Sequence, residues 1–284
     1  MPATAPVGIA NVSAEAERLL AERYGSTQPH AHLLLNATIE GLLSHRSVRA
    51  FSDRPLPEGL IETLVAAAQS APSSSNLQTF SLVAVENPQT KARLAEIAGG
   101  QKHVAEAPLV LVWLADLARL EQIGQREGRP TEALSYLETL FVGIIDAALA
   151  AQNAVVALES LGLGGVYIGA LRNRPEEVAD LLGLPPNVLG VFGLAIGYPG
   201  PERPADVKPR LPQQLVLHRE RYDAALPPDA LTSYEEALKA FQKGQRMRDI
   251  GWMAAALERV RGPEALSGRD RMRDALASMG FGLR

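Results

Sequence analysis

The stretch Gly143–Gly169 has the sequence GIIDAALAAQNAVVALESLGLGGVYIG, and it decides the fold. Its first part, Gly143–Leu161, is apolar on nearly every side of a helix, which predicts a long helix that is buried on all sides. The second part, Gly162–Gly169, combines a glycine-rich turn with a short apolar run and predicts a strand. A buried helix that leads directly into a strand indicates a layered protein with both types of element.

The rest of the chain adds further helices and strands on both sides of this stretch. Apolar residues at helical spacing, with start and stop signals, predict helices over Ala14–Tyr24, Leu33–His45, Pro57–Ser70, from Asn87-Pro88 to Gly99-Gly100, and in charged segments of Asp229–Gly280. Short apolar runs predict strands over Ser81–Glu86, Leu109–Ala115 and Val188–Tyr198. Polar composition predicts loops over Ala71–Gln78 and Glu121–Pro130. Without an internal repeat or a clear linker, we expect an N-terminal arm over 1–30 and one domain over 31–284.

Composition excludes several classes of function. The chain has 284 residues with a net charge of −4, which argues against a nucleic-acid partner. It has no cysteine, which excludes disulfides, thiol catalysis and a Cys-ligated zinc site. The N-terminus lacks the pattern of a signal peptide, and no uninterrupted apolar run approaches the roughly 18 residues of a membrane span. We therefore expect a cytoplasmic protein without a membrane partner.

Two basic segments could bind a phosphate. His45-Arg46-Ser47-Val48-Arg49 supplies charge-assisted donors, although a solvated basic helix end would have the same composition. Lys208-Pro209-Arg210 lies in a proline-rich stretch, where proline would let the two cations project together at little ordering cost. A lone pair of cations in such a loop is common, so this second signal is weak by itself.

Two further segments could contact a polar ligand. Ser73–Gln78 (SSSNLQ) offers hydroxyls and amides, and ordinary turn chemistry explains it equally well. Gly164–Gly169 (GGVYIG) would let a ligand approach the backbone, or it could simply form a tight turn between a helix and a strand. No dinucleotide fingerprint, zinc-protease motif, nucleophile elbow or P-loop is present, and we expect no metal site. The lack of a nucleophile indicates that a cofactor carries the chemistry.

Taken together and in order, these segments resemble a known family. The runs that carry the resemblance are HRSVRAF (His45–Phe51), AAQSAPSSSNLQ (Ala67–Gln78), GGQKHVAEAP (Gly99–Pro108), DAALAAQNAVVALESLGLGGVYIGALRN (Asp146–Asn173), VFGLAIGYP (Val191–Pro199) and KPRLP (Lys208–Pro212). They are similar to the nitroreductase superfamily, in particular its branch of oxygen-insensitive NADPH nitroreductases and flavin reductases. The resemblance is close from Leu33 to Tyr222 and looser in the C-terminal helices.

The resemblance implies an α+β fold with a central mixed sheet flanked by helices, in an intertwined homodimer that binds FMN noncovalently. It implies cofactor-binding roles for His45, Arg46, Ser47, Arg49, Ser73, Gln78, Gln101, His103, Tyr167, Ile168, Gly169, Lys208 and Arg210. Lys208 and Arg210 would hold the phosphate, and Arg49 would stabilise negative charge on the ring. The amide of Gly169 would donate to the ring nitrogen that accepts hydride, so Arg49 and Gly169 are the expected catalytic residues. Ala170 stands where the family pattern has glycine.

The implied activity is that of an FMN-dependent NAD(P)H oxidoreductase. Its acceptors would be nitroaromatics, quinones or free flavins, reduced in two alternating half-reactions. Lys243, Arg246 and Arg248 lie where the family has a loop linked to NADPH preference, although exposed charges at a helix end explain them equally well. A non-catalytic flavin carrier or sensor, or an FMN enzyme with other chemistry, would use the same pocket.

Overall fold

The computed structural model describes residues 13–25, 33–203 and 205–284. The contact pattern divides the chain into two compact units. One combines Met1–Arg46 with Ala205–Arg259, and the other combines Ser47–Pro204 with Val260–Arg284. We call them the basic unit and the sheet unit. The expected division into an arm over 1–30 and a domain over 31–284 stays a prediction.

The described elements follow one another in a mixed order of helices and strands. The helices are α1 (Ala14–Tyr24), α2 (Ala37–Leu43), α3 (Leu60–Gln69), α4 (Pro88–Ile97), α5 (Lys102–Glu106), α6 (Ala118–Glu127), α7 (Leu137–Ser160), α8 (Pro175–Leu182), α9 (Pro228–Gly244), α10 (Gly251–Val260) and α11 (Met272–Ser278). The strands are β1 (Phe80–Val85), β2 (Leu109–Asp116), β3 (Gly164–Ile168) and β4 (Val188–Gly197).

The sheet unit is built on a four-stranded sheet with the order β1-β2-β4-β3. Its strand pairs are all antiparallel, which corrects the expectation of a mixed sheet. Within the described residues, parallel pairing is confined to an isolated bridge between Ser47 and Gly165. The mixed sheet was implied by the resemblance, and helices can join antiparallel neighbours as well as parallel ones.

The long helix α7 supports one face of this sheet and forms its core with α3. It begins at Leu137, six residues before the predicted start, and has 24 residues. Gly143, inside this helix, allows a close approach to β2. An added Cβ atom at this position would come within 3.1 Å of the Ala115 Cβ atom. Burial on all sides was wrong for the single chain. A stripe at four-residue spacing is exposed: Leu137, Phe141, Ile145 and Leu149.

The same helix bears on the question of a membrane. Among the described helices, α7 is the one whose length and composition would allow a membrane span. In its most apolar window, 44% of the residues are buried within the chain. Core helices of soluble proteins pass the same test, so this observation is weak.

Two predicted elements differ from the structure. Glu121–Pro130, expected as a loop, belongs largely to α6, which ends where Gly128 adopts a left-handed conformation. Its polar composition hid the narrow apolar side of this helix. The helix expected over Leu33–His45 shortens to α2 because the Asn36 side chain accepts a hydrogen bond from the Ile39 amide at 2.9 Å and so sets the start.

In the basic unit, α1 packs against α2. Ala16, Leu20 and Leu35 form a small apolar cluster, and the Ser13 hydroxyl donates to Glu40 at 2.8 Å. The predicted bounds of α1 are confirmed. The helix is therefore fixed by both packing and hydrogen bonds at the segment that leads to His45.

Candidate functional site

The first basic segment lies against the glycine-rich strand. The Val48 amide donates to the Gly165 carbonyl at 3.0 Å, next to the bridge that pairs Ser47 with Gly165. A Cβ atom at Gly164 would lie 2.4 Å from the Val48 Cγ2 atom. The glycine therefore leaves room for the Val48 side chain where the two segments meet. The sheet unit thus brings the second half of the first basic segment, Ser47–Arg49, against the glycine-rich segment.

Arg49 and Arg203 form a positive group in the sheet unit, next to His103. Burial and then the charge of Arg203 lower the pKa of the Arg49 guanidinium. Burial, followed by the charges of Arg49 and Arg203, lowers the pKa of His103, and Glu106 offsets part of this effect. Burial and the two guanidinium charges thus favour the neutral imidazole of His103. Mutual repulsion of cations is typical of a place that accepts an anion.

The end of β3 presents backbone more than side chains. Ile168 is 1% exposed, so its side chain belongs to the core. Tyr167 is partly exposed and packs edge-on against Phe192, with ring centroids 5.1 Å apart, and burial raises the pKa of its phenol. Gly169 begins the turn after the strand, and a Cβ atom there would lie 3.4 Å from the Arg172 Nη2 atom.

The serine-rich loop is held by a buried carboxylate. Asp146 of α7 is 2% exposed and accepts hydrogen bonds from the Ser73 hydroxyl at 2.7 Å, the Thr79 amide at 2.9 Å and the Thr79 hydroxyl at 3.0 Å. The Ser73 hydroxyl also accepts from the Gln78 amide at 2.7 Å. Turn chemistry therefore explains the Ser73 hydroxyl.

Gln78 and Gln101 are placed differently. Gln78 is exposed in a left-handed conformation with φ 52°, and Ser75 and Asn76 share that region with φ values of 49° and 54°. Gln101 precedes α5, which carries His103, and its side-chain amide donates to the Ala98 carbonyl at 2.9 Å. Left-handed conformations such as those of Ser75, Asn76 and Gln78 cluster at functional loops.

The remaining predicted cations lie in the basic unit. His45 and Arg46 follow the end of α2, as both the phosphate hypothesis and the solvated helix end require. Lys208 is half-buried, with its Nζ atom 5.8 Å from the centre of the Phe241 ring. Arg210 is exposed and lines a cavity of about 600 Å³. The aromatic residues of this cavity are Tyr24, Tyr234 and Trp252.

The third basic group lies near the end of α9. Lys243 is in its last turn, and Arg246 and Arg248 follow it, all three exposed. Arg246 has a left-handed φ of 53°. This placement fits both the loop linked to NADPH preference and a plain solvated helix end.

Sequence reasoning missed three charged residues. Arg203 belongs to the positive group, and its place in the proline-rich stretch near Lys208 could have drawn attention to it. Asp146 and Arg23 are buried and bonded to distant residues, which no local pattern reveals. Across the described part of the chain, no group of three or more metal-ligating side chains could hold a metal ion.

The fold and these groups define a class. The chain is an α+β protein whose sheet unit places a positive group near a glycine-rich strand, as a protein that binds an anionic organic cofactor would. Similarity to known proteins identifies the family. The chain belongs to the nitroreductase family: the family model matches residues 42–198, and the model of the nitroreductase family C-terminal domain matches residues 208–284.

Named relatives cover most of the chain. An oxygen-insensitive NADPH nitroreductase of Salmonella typhimurium is 42% identical over 220 residues, which are 77% of this chain and 88% of that protein. An FMN reductase (NADPH) of Bacillus subtilis is 43% identical over 190 residues, 66% of this chain and 76% of that one. Among solved structures, the NADPH:FMN oxidoreductase of Vibrio harveyi in complex with NAD+ has a TM-score of 0.78 at 34% identity, covering 88% of this chain and 100% of its own.

Proposed function

We propose that the protein is an FMN-dependent oxidoreductase that takes electrons from NAD(P)H and reduces small, flat acceptors such as nitroaromatics, quinones or free flavins. The similarity to relatives named NADPH nitroreductase and FMN reductase (NADPH), at 42–43% identity, carries the assignment. Those names are of enzymes, so a non-catalytic flavin carrier is not favoured. The acceptor class is the part of the proposal that goes beyond these names.

The donor set fits FMN. Its phosphate is an anion, and four cationic side chains of the basic unit are suited to it: His45, Arg46, Lys208 and Arg210. In the sheet unit, the charges of Arg49 and Arg203 oppose each other, and an anionic or carbonyl-bearing ligand would relieve that repulsion.

FMN, when bound, accepts a hydride from a reduced nicotinamide and passes electrons to an acceptor. Arg49 supplies a fixed positive charge that stabilises negative charge developing beside it. His103, whose neutral form is favoured by burial and by Arg49, can in that form donate or accept a hydrogen bond without adding a charge. The Gly169 amide is a backbone donor at the end of β3, where a side chain would meet Arg172.

The two substrates would use one cleft in turn. The sequence lacks a fingerprint for a separate dinucleotide-binding domain, so we expect the nicotinamide to leave before the acceptor enters. Purified yellow protein should bleach on adding NADPH under anaerobic conditions. Double-reciprocal plots at several acceptor concentrations should then be parallel. Intersecting lines with both substrates bound at once would reject the shared cleft, and a yellow protein that NADPH does not bleach would reject the enzyme.

We also propose a cytoplasmic homodimer that pairs through the exposed stripe of α7. Phe141 is 50% and Ile145 is 54% exposed, and an apolar stripe of this length is typical of an interface. Ile145→Asp should lower the sedimentation coefficient to that of a monomer. Glu138→Gln, on the same helix, is the control. A wild-type protein that sediments as a stable, FMN-replete monomer would reject the dimer.

A further inference from the structure

Arg23 is a buried cation near the end of α1. It is 5% exposed, and its guanidinium donates to the carbonyl oxygens of Lys208 at 2.7 Å, Leu43 at 2.7 Å and His45 at 3.3 Å. All these residues belong to the basic unit. One side chain therefore joins three backbone positions from two segments of the chain.

The Arg23 backbone adds a bond to the second segment. Its carbonyl accepts from the Arg210 amide at 2.8 Å, while its guanidinium holds the Lys208 carbonyl. Both neighbours of Pro209 are therefore bonded to a single residue. Pro209 is buried, whereas Lys208 is half-buried and Arg210 is exposed, so the two cations remain accessible on either side of a fixed proline.

The bonds to Leu43 and His45 fix the first segment. Leu43 ends α2, where helix carbonyls lack partners within the helix and a cation is electrostatically favourable. His45 and Arg46 come directly after this end. Their backbone is thus set by the same guanidinium that sets Lys208.

We propose that Arg23 is a positioning residue for FMN: it holds the two basic segments in the arrangement that receives the phosphate. The inference rests on the proposed function, because it takes these segments to be the phosphate site. Cations on a preordered backbone bind an anion without the cost of ordering two loops. Arg23 itself bonds to carbonyls of the chain and acts only through the residues it holds.

Riboflavin separates this role from a general effect on the fold, since it has the same ring and no phosphate. In full-length protein stripped of flavin, Arg23→Met keeps an apolar stem of similar length and removes the donors. Fluorescence titration should show FMN binding weakened about tenfold or more, with riboflavin binding unchanged. Arg219→Met is the matched control, because Arg219 is an exposed arginine of the same unit. It should leave both affinities unchanged.

Two further variants make each outcome decisive. Arg23→Lys keeps the charge but loses the planar fork, and it should lower the preference for FMN over riboflavin by about threefold. If Arg23→Met does not fold, this variant decides. A preference equal to that of the wild type in every folded Arg23 variant would overturn the positioning role. The double variant Lys208→Ala with Arg210→Ala tests the phosphate site itself. If the double variant keeps the preference for FMN over riboflavin, the phosphate assignment fails. If the double variant loses this preference and the Arg23 variants keep it, only the role of Arg23 fails.

Discussion

Two buried charges organise the two units in opposite ways. Asp146, 2% exposed in the sheet unit, accepts hydrogen bonds from amide and hydroxyl donors of Ser73 and Thr79. Arg23, 5% exposed in the basic unit, donates to backbone carbonyls. Each residue satisfies groups that a loop cannot pair by itself, and each is satisfied by them in return.

The reach of the two charges differs. Asp146 bonds within a single loop, so it determines how that loop turns. Arg23 bonds to residues 20 and 185 positions away, so it determines how two separate segments lie side by side. A carboxylate can accept hydrogen bonds from the amides of a tight turn, and the five N–H donors of a guanidinium can reach carbonyls of several separate chain segments. We therefore expect that replacing Asp146 disorders its loop locally, and that replacing Arg23 weakens ligand binding.

The largest expected effect concerns the segments that Arg23 holds. Lys208→Ala with Arg210→Ala should weaken FMN binding by about 10²–10⁴-fold, because charge-assisted bonds to phosphate contribute roughly 1.5–3 kcal/mol each. Flavin content after gel filtration and a fluorescence titration measure it. Arg219→Ala with Arg221→Ala removes two exposed cations at the same spacing and should change nothing. Full flavin occupancy in the first variant would show that Arg23 organises segments with another use.

Removing the other buried charge should chiefly reduce stability. Asp146→Ala leaves the Thr79 amide and the Ser73 hydroxyl without their acceptor, and we expect a loss on the order of 3 kcal/mol in the free energy of unfolding. Urea denaturation measures it. Asp146→Asn, which retains one acceptor oxygen, should lose less. Asp180→Ala, an exposed carboxylate on α8, should stay near wild type. A loss equal to that of Asp180→Ala would show that the loop does not depend on Asp146.

Local patterns in the sequence predicted much of the fold. The strand expected over Leu109–Ala115 is confirmed and is a single residue longer in the structure. It could be predicted because its continuous apolar run is visible in the sequence. The helix expected from Asn87-Pro88 is also confirmed, since its start is set by the Asn87 cap. The loop expected over Glu121–Pro130 was wrong because the apolar side of α6 is too narrow to stand out among its charges.

The third effect concerns a cation that is not engaged in holding backbone. Arg49 has one long contact, 3.5 Å to the Ser47 carbonyl, so its charge is available to a ligand. Arg49→Ala should slow flavin reduction by NADPH about tenfold, close to 1.4 kcal/mol in the barrier, with a smaller change in NADPH affinity. Stopped-flow absorbance separates the two. Arg49→Lys should retain most of the rate, and an unchanged rate in Arg49→Ala would remove the residue from the catalytic group.

The smallest effect is expected at an exposed ion pair, which provides a baseline for the buried charges. A hydrogen bond from Arg271 lowers the pKa of Glu176. The pair therefore stabilises the fold above the unfolded-state pKa of a glutamate, and this contribution is lost as the pH falls through the lowered folded value. Glu176→Gln should cost about 0.5 kcal/mol at pH 7, and the cost should shrink as the pH falls through the lowered folded value. Urea midpoints over a pH series measure it, and a cost that does not change with pH would show that charge is not its source.

In the candidate site, as in the fold, the sequence revealed local patterns and missed contacts between distant residues. Clusters such as His45–Arg49 and Lys208-Pro209-Arg210 are visible because their charges are neighbours in sequence. Arg23 and Asp146 were not found, because their partners are backbone groups and hydroxyls that come near only when the chain folds. Roles assigned through the resemblance, such as the Gly169 amide as a donor, stay predictions.

The position of Arg23 also matters to anyone who shortens the chain. The family models match residues 42–198 and 208–284, so a protein trimmed to that range would keep all the cations of the proposed phosphate site. It would nevertheless lose the residue that bonds the two basic segments together. Such a trimmed protein should be soluble, recognisable as a relative and pale after purification, because the limits of shared ancestry in a sequence need not be the limits of a working binding site.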